Sequence, residues 1–338
     1  MLRDRYMLVA DSGATKCSWA LLKLPALAGS GRTAVGEEVL RFGTGGLNAA
    51  VATMTDIREF ASKSAAQLCL SAGPEMSFPE EVVSLSEDSA SMDGLHSPLE
   101  DAVEEVCIYA AGVASGKSIE EISHAFGIYF RNAEVHVESD MLGAARAVCG
   151  SEPGIVGILG TGSNSCLYDG TGIAVYGLGG GYVLGDEGSG AWVGKRLLSD
   201  FIRSLLPSEM SEALKRDYSL DYPTIVDKLY RGGTPGRYLA SFFPFVLGYA
   251  WDSASSEYAR DLLRDGFGAF MDRCILKRYD CAVYPLNLCG SVAWLCRDII
   301  AECADRRGIR IGTVLKSPIE GLVKYHQLIF EENRYDRE

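Results

Sequence analysis

No Cys-x-x-Cys pair occurs among the ten cysteines of this 338-residue chain. They are scattered, and most sit inside apolar runs, so the expectation is reduced core thiols rather than the disulfide framework of a small secreted protein. Cys289, Cys296 and Cys303 recur every seven residues, a helix-face spacing that reads as packing rather than as a metal site. Positive charge is also short: 32 basic side chains stand against 45 acidic ones, a net charge of −13. That balance argues against a nucleic-acid backbone or an anionic membrane as the main partner. A phosphorylated ligand would need local donors and a metal rather than a general positive field. Long apolar runs are missing too. The longest uncharged apolar stretch, residues 238–251, has 14 residues and contains Pro244, so it reads as a buried helix rather than a membrane span. Arg3, Asp4 and Arg5 lead straight into the first strand with no signal peptide, so the chain reads as cytosolic.

What is present fits an ordinary globular protein: 47% hydrophobic and 23% charged residues, at a length that predicts about two domains. Hydrophobic periodicity alternates between strand and helix. Strands are expected at 7–10, 18–23, 39–42, 106–111, 135–138, 155–159, 166–169, 286–289 and 310–314. Helices are expected at 48–70, 118–131, 140–149, 188–206, 257–278, 291–307 and 318–331. Residues 73–100, rich in Ser, Pro, Glu and Asp, read as an exposed acidic loop with one short helix at most. A boundary fits at Gly150-Ser151-Glu152-Pro153-Gly154, giving domains at 1–150 and 151–316. Ser317, Pro318 and Glu320 read as a capping box that opens the last helix.

One short pattern appears twice. Residues 6–21 read YMLVADSGATKCSWAL and residues 154–168 read GIVGILGTGSNSCLY. Aligning Gly13 with Gly162 pairs Asp11 with Gly160, Thr15 with Asn164 and Cys17 with Cys166. Each copy is an apolar run, a tight turn of small residues and a second apolar run, which predicts a β-hairpin with exposed backbone N–H groups. Such turns hold phosphate oxygens, because small residues admit close approach and N–H dipoles converge. In the first turn, Asp11 could hold Mg²⁺ through water, while Gly13, Thr15 and Lys16 face phosphates. In the second, Gly160, Thr161, Gly162, Ser163 and Asn164 repeat the pattern.

Residues 177–190, GLGGGYVLGDEGSG, hold seven glycines in fourteen positions. Gly179, Gly180 and Gly181 predict close backbone approach to a ligand. Asp186 reads either as a helix N-cap or as an acceptor for sugar hydroxyls. Asp140 ends a strand and begins a helix; it reads in part as an N-cap, and also as a base at the strand end where α/β proteins bind ligands. Gly290 and Ser291 follow the strand at 286–289 and open a helix, a ready nucleotide contact. Residues 111–118, AGVASGKS, imitate a P-loop, but Ala111 stands where the strict motif requires Gly. That reading would leave the doubled hairpin without a purpose, and it is set aside.

Together VADSGATK, ILGTGSNS, GGGYVLGDEGSG and LCGSVAW resemble the N-acetylglucosamine kinase and BadF/BcrA-type ATPase branch of the sugar kinase, Hsp70 and actin superfamily. The likeness covers most of the chain, and Ser139-Asp140 matches the family's catalytic aspartate position. The resemblance implies an α/β protein of two ribonuclease-H-like (actin-like ATPase) domains, with ATP and sugar in the cleft between them and the last helix, 317–331, packed on the first domain. It implies that Asp140 activates the sugar 6-hydroxyl, that Asn48, Ser163, Asn164 and Asp186 contact the sugar, that Thr15 and Thr161 contact ATP phosphates, and that Gly290 lines the adenosine side. A homodimer is implied as well. Two departures bear on the sugar: Gly179-Gly180-Gly181 replaces the family's Gly-Trp-Gly, and Ala49 stands where His follows the Asn48 position. The CxCGxxGC zinc motif of glucokinase-like relatives is absent. The leading function is an ATP- and Mg²⁺-dependent kinase of an amino sugar, N-acetylglucosamine at O6. An ATPase switch acting on a partner protein and a silent sugar sensor are the alternatives.

Overall fold

The first apolar run forms β1 (Tyr6–Ser12), whose side chains alternate between two covered faces. Tyr6, Leu8 and Ala10 enter one core, while Met7 and Val9 enter another on the opposite side. A strand covered on both faces needs such an unbroken run rather than polar alternation. The computed structural model describes residues 4–24, 36–73, 97–251 and 254–335. It divides into two compact units, Met1–Gly150 with Pro318–Glu338, and Ser151–Ser317.

In the first unit, β2 (Lys16–Lys23) and β3 (Glu37–Gly45) add to β1 antiparallel on one side. On the other side β4 (Val103–Ala110) and β5 (Glu134–Ser139) add in parallel, giving the order β3-β2-β1-β4-β5. Helices α1 (Met54–Ala72), α2 (Pro98–Ala102), α3 (Gly116–Gly127) and α4 (Asp140–Cys149) complete it. The first helix starts later than residue 48. Thr53 and Asp56 form a capping box, the Asp56 carboxylate accepting from Thr53 N–H at 2.7 Å and the Thr53 hydroxyl from Asp56 N–H at 3.2 Å. Before it, the Asn48 side chain accepts from Ala50 N–H at 3.1 Å, a local turn that competes with helix. The acidic segment expected at 73–100 lies mostly outside the described residues; its end, from Pro98, is helical.

The second unit repeats the arrangement. β6 (Gly154–Leu159), β7 (Ser163–Tyr168) and β8 (Ile173–Tyr176) are antiparallel neighbours, and β9 (Leu286–Cys289) and β10 (Ile311–Leu315) run parallel to β6, in the order β10-β9-β6-β7-β8. The edge strand β8 carries no apolar periodicity because three of its four side chains face solvent. Its helices are α5 (Gly181–Leu184), α6 (Gly190–Ile202), α7 (Ser208–Asp217), α8 (Tyr222–Arg231), α9 (Pro235–Ala240), α10 (Phe243–Tyr249), α11 (Ser256–Phe270), α12 (Ser291–Leu295) and α13 (Arg297–Asp305). The single buried helix read from 238–251 is two short ones. Pro244 lies in the first turn of α10, where a residue without an N–H costs no hydrogen bond. The bare face of Gly194 on α6 admits the backbone of Leu239 so closely that a side chain there would overlap its carbonyl. The helix read from 257–278 is α11 followed by a π-helical turn, Met271–Ile275, and the helix read from 291–307 breaks at Cys296.

The last helix, α14 (Ile319–Tyr335), returns to the first unit. Ile319, Leu322 and Val323 join Met7, Val9, Ala20 and Leu22 in one core. Gly321 meets α4 so closely that a Cβ would overlap the Ala147 carbonyl. All ten cysteines are free thiols, and Cys289, Cys296 and Cys303 are buried, the last two in the core of the second unit. Among the described residues no helix is long and apolar enough to cross a membrane.

Candidate active site

Strand register decides where the candidate residues of the first unit emerge. Ser12 pairs with Ala110 and Ala110 with Ser139, so the parallel strands β1, β4 and β5 end level. The residues that follow, the turn at 13–16, the loop at 111–112 and Asp140, therefore leave from one edge, the carboxyl end where open α/β sheets bind ligands. The first turn closes with Gly13 N–H donating to Lys16 O at 3.0 Å, and Gly13, Ala14, Thr15 and Lys16 are all exposed. Asp11 is half-buried just before it, beside Ser18 and Tyr109.

Two residues unassigned by the sequence reading shape this edge. The buried Ser12 hydroxyl accepts from Leu47 N–H at 3.0 Å, tying the segment after β3 to the turn. Gly46 then lies on the turn itself, where a Cβ would stand 2.7 Å from Thr15 N and would overlap Gly13 O. Its signal in the sequence is only the glycine pair that ends β3. Asn48 follows; it bridges to Ala111, with Ala49 N–H donating to Ala111 O at 2.8 Å. Gly112 has φ +76, and a side chain there would overlap the Asn48 side-chain oxygen. Only glycine combines that backbone with that contact.

Asp140 is not the N-cap. Ser139 holds that position, its hydroxyl accepting from Leu142 N–H at 3.2 Å, and Asp140 is the first helical residue. Burial pushes its carboxyl above the usual carboxylate range, opposed by the backbone N–H groups of Met141 and Asp140. A carboxylate with a raised pKa is a stronger base, and this one keeps partial solvent access at the sheet edge.

In the second unit Ile158 pairs with Cys289 and Cys289 with Leu315, so β6, β9 and β10 also end level. The second turn is shorter than the first. Leu159 faces Ser163 directly, Gly160 N–H donates to Gly162 O at 3.0 Å, and Thr161 is exposed at the tip. Asn164 is therefore not in the turn but in β7, opposite Ile158, with its side chain accepting from Ser165 N–H at 2.9 Å. The first N–H groups of α6 are already used: Gly190 donates to Gly160 O and Ala191 to Thr161 O, both at 2.9 Å. Gly290, with φ +122, presses against the end of β6, where a Cβ would overlap Leu159 O, and Ser291 is exposed as the first residue of α12.

The glycine-rich loop differs in part from its reading. Gly180 makes close backbone contact, but with Gly185 of its own loop, where a Cβ would stand 2.7 Å from Gly185 N. Gly181 opens α5 at φ +58. Asp186 is not an N-cap either, since Ser189 caps α6 by accepting from Trp192 N–H at 3.1 Å. Asp186 instead takes φ +59, in the left-handed region, and its carboxylate accepts from Ser163 N–H at 3.1 Å. Such a backbone costs on the order of 1–3 kcal/mol in a residue other than glycine and persists where its surroundings hold it. Burial raises the Asp186 pKa, while Ser163 N–H and Lys195 oppose the rise.

Beside Asp186 lies a cavity of about 130 Å³ lined in part by Ser163, Asn164, Gly179, Gly180 and Arg273. That is below the roughly 300–1,000 Å³ of a complete small-molecule site. Glu187, buried in its wall, pairs with Arg273 at 3.2 Å and takes a contact from the Cys274 thiol at 3.7 Å. Neither Arg273 nor Glu187 was singled out from sequence, because the ion-pair partners lie 86 positions apart in the chain. A larger cavity, about 260 Å³, lies under α14 and is lined by Tyr109, Arg146 and His326 among others. It contains none of the candidate site residues and lies on the face of the sheet rather than at its carboxyl edge.

Two mixed five-stranded sheets, each with a turn, a glycine contact and a carboxylate at its carboxyl edge, define the class: an actin-like ATPase fold. The structure of a proposed N-acetylglucosamine kinase from Porphyromonas gingivalis is similar, with 31% sequence identity, a TM-score of 0.76, and 95% of this chain and 99% of that chain covered. One from Chromobacterium violaceum, also a proposed N-acetylglucosamine kinase, shares the fold at 21% identity and a TM-score of 0.65, covering 95% of this chain and 99% of that one. No family model and no curated protein sequence matches the chain. The chain belongs to the N-acetylglucosamine kinase branch of the sugar kinase, Hsp70 and actin superfamily.

Proposed function

We propose that the protein is an ATP-dependent carbohydrate kinase, and that its acceptor is an amino sugar, N-acetylglucosamine or a close derivative, phosphorylated at O6. The observation that carries this reading is the level ending of β1, β4 and β5, which gives the exposed turn, Asn48 and Asp140 a common sheet edge. Asp140 serves as the base. It accepts the proton of the 6-hydroxyl as the oxygen attacks the terminal phosphorus of ATP; the new O–P bond forms as the bond to the bridging oxygen breaks, and ADP leaves with that electron pair. Asn48, Ser163, Asn164 and Asp186 orient the sugar by hydrogen bonds, with Gly179, Gly180 and Gly181 leaving room for it. Gly13, Thr15, Lys16, Gly160, Thr161 and Gly162 hold phosphate oxygens, and Gly290 and Ser291 flank the adenosine.

Among the described residues no group of three or more metal-ligating side chains comes together. That fits Mg²⁺ carried by ATP, since the ion is ordinarily bound through one or two carboxylates together with substrate phosphates and water. When bound it neutralises phosphate charge, and Asp11 is the carboxylate suited to reach its water shell. A coupled ADP-release assay over a panel of amino sugars tests the reading. Sugar-stimulated turnover is the expected result; intact nucleotide binding with no sugar that stimulates turnover would overturn it.

A further inference from the structure

The cavity of about 260 Å³ under α14 takes no part in the proposed transfer, yet its lining is charged. Strand register explains why. Glu105, Cys107 and Tyr109 project from one face of β4, and His136 and Glu138, opposite Cys107 and Tyr109, project from the same face of β5. Helix α4 adds Arg146. Its guanidinium stacks over the rings of Tyr109 at 5.7 Å and Tyr325 at 5.1 Å, and donates to the Tyr109 hydroxyl at 3.0 Å. That hydroxyl, accepting from Arg146, donates onward to His326 Nε2 at 3.0 Å. Burial lowers the His326 pKa to about 3, so this ring adds no charge.

Three charged groups of the lining lack an opposite charge at contact distance. Arg146 forms no ion pair among the described residues, and its Nε is buried without an acceptor. Glu105 and Glu138, both half-buried, have no hydrogen bond or ion pair among the described residues. The nearby basic groups are engaged elsewhere: Arg5 donates to Glu104 at 2.6 Å, and His136 faces Glu134 at 3.7 Å. Burial pushes the Glu105 carboxyl above its usual range, against the weaker pull of His136 and Arg5. One cation and one anion thus flank Tyr109 without meeting. A second anion stands four residues back along β4, about 13 Å away at the usual strand rise. A simple anion would be repelled by the two carboxylates, and a simple amine would leave the guanidinium unmatched. An α-amino acid with a cationic side chain answers all three. Its carboxylate accepts from Arg146, its ammonium pairs with Glu138, and a four-carbon stem carries the second cation toward Glu105. Ile329 and Phe330 of α14 offer that stem an apolar wall.

We propose that this cavity binds a basic α-amino acid such as lysine, recognised by Arg146, Glu138 and Glu105. The probes are lysine and three analogues that each lack one charge: lysinamide, 6-aminohexanoate and norleucine. Calorimetry on the whole protein should show lysine binding about tenfold more tightly than each analogue, the size of one charge-assisted interaction. Each preference should vanish in one variant only. Arg146→Gln removes the preference over lysinamide, Glu138→Gln that over 6-aminohexanoate, and Glu105→Gln that over norleucine. Arg146 packs between two rings, so melting curves accompany its variant, and the analogue series on the natural protein decides the question without it. Absence of lysine binding at millimolar concentration overturns the proposal. So does equal binding of lysine and norleucine, or a preference over norleucine that survives Glu105→Gln. Sugar turnover does not enter these measurements, so they stand or fall independently of the kinase reading.

Discussion

The turn after β1 and the turn after β6 leave their sheets at corresponding points, yet they are held in opposite ways. The first is a four-residue turn with every residue exposed, overlain by the backbone of Gly46 and tied down through Ser12. The second is one residue shorter and is strapped from behind by two N–H groups of α6. The carboxylates differ in the same sense. Asp140 continues directly from a strand into a helix in ordinary geometry, whereas Asp186 sits on a loop in the left-handed region. Under the proposed kinase reading, the base that must meet a proton at a fixed point stands on regular structure, and the carboxylate that orients the sugar is held on a loop by a hydrogen bond from the neighbouring strand.

Five substitutions sharpen that contrast. The largest effect belongs to Asp140→Asn, which should lower kcat about a thousandfold while leaving ATP affinity nearly unchanged, because the base acts in the transition state. The same change should raise thermal stability at neutral pH. Folding raises the Asp140 pKa, so between the unfolded value near 3.8 and the raised folded one the native state binds more protons, and stability falls as pH rises through that window. Asparagine escapes this, so melting curves of the two proteins should converge at low pH and separate above it. Equal melting temperatures at pH 7 would contradict the burial assigned to Asp140.

A smaller effect separates the two glycine contacts. Gly290→Ala should cost about 2–3 kcal/mol of stability, since alanine at φ +122 is strained and its methyl overlaps Leu159 O. Gly13→Ala, whose Cβ would meet its nearest atom at 3.6 Å, should cost less than about 1 kcal/mol. Denaturant unfolding of both variants measures the difference, and similar costs would break the comparison. The smallest stability change is expected at Gly160, where a Cβ meets nothing within 4 Å. Gly46→Ala is its counterpart in the first unit: the methyl must displace the turn, so the KM for ATP should rise about tenfold or more. If the two alanine variants show the same KM, Gly46 does not shape the nucleotide side.

Much of this was legible in sequence because it is local. An apolar run, a small-residue turn and a second apolar run announced both hairpins, and the run ending at Glu138 announced the strand before Asp140. The alignment of Gly13 with Gly162 marked two hairpins but not equivalent positions: Gly13 begins its turn and Gly162 ends its own. Turn length is set by cross-strand register, which a motif does not encode. The N-cap reading of Asp140 and the N-cap alternative at Asp186 fail for one reason. Ser139 and Ser189 take the caps from nearby aspartates, and competition between two good caps is decided by backbone geometry. The Glu187–Arg273 pair and Gly46 depend on contacts between distant segments, and no periodicity reports them.

The return of α14 to the first unit has a consequence for synthesis. Met7, Val9, Ala20 and Leu22 are made well before their cover, Ile319, Leu322 and Val323. The second unit is contained wholly within that interval, from Ser151 to Ser317. A chain emerging from the ribosome can therefore finish its second unit while one face of the first sheet is still bare. The interval is also the period in which an incomplete chain is most open to aggregation or to capture by a chaperone.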